Sequence, residues 1–64
     1  MKAISNGTRV NFQYRQHYLL GGALIKGSGT VIGQTIVGNE NAYVINPDNG
    51  GDVVHVRNSG VTVA

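Results

Sequence analysis

The chain has no cysteine and no tryptophan, one proline, and four aromatic residues (one Phe, three Tyr) among its 64 positions. Without cysteine there is no disulfide framework and no cysteine-based zinc finger. Three leucines and four alanines are too few for a helix bundle, and 64 residues are too few for a two-domain enzyme. Charge is also scarce. Only 12% of residues are charged, and five Lys and Arg against three Asp and Glu give a net charge of +2, with a pI near 9.4. That excess contains no run of Lys or Arg such as dedicated nucleic-acid binders carry. No long hydrophobic run is present either. The longest, Tyr18 to Ile25, is broken by Gly21 and Gly22 and falls well short of the ~20 residues of a membrane span. It lies too deep in the chain for a signal peptide, so a soluble, cytoplasmic protein is expected, with no membrane partner.

What the chain does have is glycine and β-branched residues. Ten Gly stand beside nine Val, five Ile and four Thr, a composition of short strands and turns. Val10, Phe12 and Tyr14 alternate with Arg9, Asn11 and Gln13, which predicts a half-buried strand over Thr8 to Tyr14. Arg15 to Ser28 lacks a clean period and is punctuated by glycines, so an irregular or hairpin-like excursion is expected there. Thr30 to Val37 reads as a second strand, apolar on both faces, with a kink or bulge at Gly33. Ala42 to Ile45 reads as the third strand, Asp52 to Arg57 as the fourth and Val61 to Val63 as the fifth. The run from Asn46 to Gly51 supplies the turn between the third and fourth, since Asn49-Gly50 offers the positive φ of a tight hairpin. Val10, Phe12, Ile32, Ile36, Val44, Val54, Val56 and Val61 are the expected core.

Five short strands with a long first connection, a tight hairpin and one turn before the last resemble the SH3-like small β-barrels. Gly7-Thr8-Arg9-Val10, Gly29-Thr30-Val31-Ile32-Gly33, Tyr43-Val44-Ile45, Asp48-Asn49-Gly50-Gly51 and Val53-Val54-His55-Val56 carry the resemblance, which extends over nearly the whole chain. It implies an all-β, five-stranded SH3-like small barrel forming a single domain over residues 1–64. The peptide-binding SH3 signature is missing: there is no Trp, no acidic first loop and no Pro before the last strand. In pattern the chain is also similar to the plasmid-borne type II dihydrofolate reductases, which are SH3-like barrels that work as homotetramers. Their substrate-binding and cofactor-binding motif, Val-Gln-Ile-Tyr, is replaced here by Val53-Val54-His55-Val56. The resemblance therefore implies the barrel and argues against the activity.

Candidate chemistry is sparse. His17 and His55, with Glu40, Asp48 or Asp52, are the titratable groups available for acid–base or metal work, and their spacing supports neither. No catalytic residue, metal or cofactor is expected. Gly27-Ser28-Gly29-Thr30 invites a phosphate-loop reading, but Lys26 precedes the glycines and a strand follows them, so a flexible connection is expected. Two surfaces remain. Tyr14, Arg15, Tyr18, Leu19, Leu20, Leu24 and Ile25 put aromatic and leucine side chains outside the strand pattern, where a protein partner or a second copy would cover them. Alternatively the excursion folds back and caps the barrel. Arg9, Arg15, Tyr18, Lys26 and Arg57 would form a patch for nucleic acid if the fold gathers them, with bases on the tyrosine and phosphates on the cations. The expected function is thus a non-catalytic interaction module, an accessory protein of a phage, plasmid or other mobile element, acting by protein–protein contact or self-association. Weak nucleic-acid binding is the first alternative, and an oligomeric reductase of the type II kind the second.

Overall fold

The computed structural model describes residues 3–15 and 22–64. Five strands follow one another: β1 (Arg9–Arg15), β2 (Leu24–Val37), β3 (Glu40–Pro47), β4 (Val54–Arg57) and β5 (Val61–Val63), with one 3-10 turn at Asn58–Gly60 before the last. The described residues contain no α-helix, and no helix among them is long and apolar enough to cross a membrane. All pairings are antiparallel within one sheet of order β4-β3-β2-β1-β5. The all-β, five-stranded expectation is met. The sheet is nevertheless not closed: among the described residues no ladder joins β4 to β1 or β5, although the sheet curls far enough to bring β4 close to β1.

Alternation builds the core. On β1, Val10 and Phe12 are buried while Arg9, Asn11, Gln13 and Arg15 are exposed. They join Val31, Tyr43, Ile45 and Val56 in one apolar cluster, against which Ile4, Tyr14, Val54 and Val61 pack. Burying each large side chain contributes roughly 1.5–3 kcal/mol relative to leaving it in water. The Tyr43 hydroxyl accepts a hydrogen bond from the Ile4 N–H at 3.0 Å, which fastens the segment before β1 to the core.

The long second strand departs most from expectation. It begins at Leu24, so Gly27-Ser28-Gly29-Thr30, expected as a flexible connection, lies inside the ladder opposite Phe12, Asn11, Val10 and Arg9. The ladder needs glycine at its closest approach: a Cβ on Gly29 would run into the Asn46 carbonyl and lie 2.9 Å from Ile45 Cγ2. A β-bulge falls between Val31 and Gly33, next to the expected kink. The pairing with β3 slips by one residue there, while β2 itself keeps its alternation through the bulge, with Val31, Gly33, Thr35 and Val37 on the more buried face. Ile32 and Ile36, expected in the core, fall on the opposite face and are exposed at 47% and 69%, while Val31 takes the interior. Val44 is half-buried, and Ala42, Tyr43 and Ile45 occupy the interior around it.

Turn chemistry positions the ends. Gly38, at φ 63°, is the first of the two residues between β2 and β3, as a right-twisting tight hairpin prefers. Gly50 takes φ 81° in the longer loop before β4, where Asn49 Oδ1 also accepts a hydrogen bond from the Gly51 N–H at 2.9 Å. Asp52 and Val53 belong to that loop, so β4 is two residues shorter than its sequence pattern indicates.

Candidate functional site

Two regions of the surface carry the guanidinium groups, and the fold treats them differently. The first is a corner where β1, β2 and the end of β3 meet. The registers Asn11↔Ser28 and Gly29↔Pro47 bring Asp48, just beyond β3, beside Ser28 and Arg9. Both Arg9 Nη atoms donate to the two Asp48 carboxylate oxygens at 2.6 Å, Ser28 Oγ donates to Oδ2 at 3.0 Å, and the Asp48 N–H donates to the Ser28 carbonyl at 2.9 Å. This bidentate geometry is the strong form of an arginine–carboxylate pair. The hydrogen bond from Arg9, helped by that from Ser28, holds the Asp48 carboxyl below its usual range, and Asp48 in turn raises the guanidinium further.

The second region is the seam where the sheet fails to close. Among the described residues β1 pairs with β5 on its open side only over Val10 to Phe12, so the outer edge of Gln13–Arg15 has no ladder partner there, and β4 pairs only with β3. These two free edges flank an open cleft of about 420 Å³ lined by Gln13, Tyr14, Arg15, His55, Arg57 and Gly60, among others. The 3-10 turn closes one end of it. A Cβ on Gly60 would collide with the Gln13 carbonyl and lie 3.1 Å from Val56 Cγ1, so glycine alone lets the turn sit against β1. Glu40 Oε2 accepts a hydrogen bond from the Ser59 N–H at 3.0 Å and pins the same turn to the start of β3. No carboxylate lines the cleft, and among the described residues neither Arg15 nor Arg57 has a carboxylate in ion-pair contact.

The expected surfaces are therefore partly assembled. Of the predicted partner-binding residues, Tyr14 and Arg15 line the seam, and Leu24, directly across the ladder from Arg15, is 45% exposed. Ile25 is half-buried and belongs to a second cleft, between the start of β2 and the loop before β4. Tyr18, Leu19 and Leu20 lie outside the described residues, as does His17. Of the nucleic-acid set, Arg15 and Arg57 share the seam. Arg9 is engaged by Asp48, and Lys26 opens onto two other clefts. One face of the Tyr14 ring is occupied by Phe12, with centroids 6.1 Å apart and planes 19° from parallel.

His55, two residues before Arg57 on the same exposed face of β4, also reaches the seam. The alternation of β4 put it beside Arg57, but no linear signal joined either residue to β1. The described residues hold no group of three His, Asp or Glu side chains placed to bind a metal ion. No family model matches the chain, and neither a curated protein nor a solved structure matches it.

Proposed function

We propose that this domain is a non-catalytic interaction module that works by protein–protein contact, with the seam cleft as its contact surface. The observation that carries the reading is the convergence of Tyr14, Arg15, His55 and Arg57 on one open cleft, although β1 and β4 lie at opposite ends of the chain. A cleft between unpaired strand edges offers main-chain donors and acceptors together with side chains for specificity, the means by which sheet edges take polypeptide partners. The SH3-like kinship, the role as an accessory protein of a mobile element and the cytoplasmic location are proposals that accompany this reading. They rest on the sequence segments and composition given above. Nucleic-acid binding has less support, since a strand of bases needs a track of cations and free aromatic faces. Here Arg9 is neutralised by Asp48, and Tyr14 is stacked on Phe12.

The test fills the cleft without altering its charge. Ser59 is exposed and lines the cleft, so Ser59→Trp should obstruct it, with circular dichroism verifying the fold. Tagged wild type and Ser59→Trp are recovered from the native host, and light scattering reports the mass of each pure protein. The module reading expects a stoichiometric protein partner, or a self-associated mass, that is present in the wild type and lost in the variant. A wild type that is monomeric and partnerless contradicts it, as does a nuclease-sensitive partner or NADPH oxidation with dihydrofolate.

A further inference from the structure

We infer that the segment accepted at the seam is acidic and extended, an inference that rests on the module reading above and assigns its partner chemistry. Arg15 and Arg57 are the two guanidinium groups of the described residues without a carboxylate partner, and both open onto the same cleft. His55 adds an imidazole N–H donor. Among the described residues no carboxylate lines the cleft, and Glu40, which accepts the N–H of the lining residue Ser59, lies outside that lining.

Guanidinium groups match carboxylates in a planar two-pronged geometry, and this molecule makes that match once already, between Arg9 and Asp48. The seam presents the same donors with the acceptors to be supplied from outside. The outer edge of β4 and that of Tyr14–Arg15 present unpaired main-chain groups, so an extended segment can place its carboxylates on Arg15 and Arg57 while its backbone meets these edges. The 3-10 turn against Gln13 limits the run along β1 to its last residues, which makes β4 the longer of the two edges available. A nucleic acid would use the same two cations, but among the described residues it would find no continuing basic track, and one face of the Tyr14 ring is already taken by Phe12.

The experiment is an amide-resolved NMR titration of the full chain with a short glutamate-rich peptide, its glutamine counterpart and a single-stranded oligonucleotide. The glutamate peptide should shift the amides of Gln13–Arg15 and Val54–Arg57, and the glutamine peptide should not. Arg15→Gln/Arg57→Gln should weaken binding about tenfold or more, the loss of one or two charge-assisted contacts, while keeping the folded spectrum. No seam shifts, equal binding of the glutamine peptide, or tighter binding of the oligonucleotide at these amides would overturn the inference. If the acidic peptide fails while Ser59→Trp still loses a native protein partner, the chemistry assigned to the partner is wrong and the module reading stands. If both fail, neither stands.

Discussion

Arg9 and Arg57 are both exposed arginines on strands of one sheet, yet they sit in opposite circumstances. At the corner, Arg9 finds Asp48 across 39 positions of sequence and closes a two-pronged pair whose far side is held by Ser28. At the seam, Arg57 and Arg15 face a cleft with no acid of their own. The backbone makes the difference. Where β1, β2 and β3 pair continuously, side chains on neighbouring strands are brought into register and can satisfy one another. Where the ladder ends between β1 and β4, the register supplies no partner. A surface pair such as that of Arg9 adds little stability, so what it chiefly removes from the surface is a free cation.

The comparison can be broken or sharpened by substitution. The largest effect belongs to the continuous half. Ile45, fully buried opposite Val31 and one pair away from the corner, should cost about 3 kcal/mol when cut to alanine. The same change at exposed Ile36 should stay within about 0.5 kcal/mol. Urea unfolding of the two variants checks this, and equal costs would mean that the inward and outward faces of the sheet are wrongly assigned. Next is Gly60→Ala, whose methyl meets the Gln13 carbonyl and must push the 3-10 turn away from β1. Overpacking of this kind costs about 1–3 kcal/mol. Amide exchange should show faster opening at Ser59 and Gln13, with the corner unchanged.

The smallest effect is the pH dependence of the corner. Because hydrogen bonds from Arg9 and Ser28 depress the folded-state pKa of Asp48, its contribution is present above the ordinary carboxylate range and is lost as pH falls through the lower folded value. Asp48→Asn should therefore lower Tm at neutral pH by a small margin that disappears in acid. Melting curves of the two proteins across this range measure it, and a margin that grows toward low pH would have the wrong sign.

The elements legible in sequence were those whose reason is local. The alternation of Val10 and Phe12 marks β1, Asn49-Gly50 marks a turn by its need for positive φ, and Val61 to Val63 is bounded as expected. The beginning of β2 was not legible, because Gly27 and Gly29 read as breaks along the chain. Their role is set across the ladder: a Cβ at Gly27 would lie 2.8 Å from Phe12 Cζ, and Gly29 leaves room for the Asn46 carbonyl. Ile32 and Ile36 stand on the face of β2 opposite Val31, and a strand with apolar residues on both faces does not say locally which face turns inward. Of the site, Tyr14 and Arg15 stood out by their neighbours in sequence. Arg57 was seen as a cation without a location, and the capture of Arg9 by Asp48 was invisible until the strands were paired.

The central claim is that an arginine's availability, and not its presence, defines the binding surface of this domain. Affinity for the glutamate-rich peptide, measured for Arg9→Gln and Arg57→Gln against the wild type, tests it most directly. The account predicts that Arg9→Gln binds within about twofold of wild type, while Arg57→Gln loses about tenfold, the worth of one charge-assisted contact. Equal losses in the two variants, or a larger loss from Arg9→Gln, would contradict it.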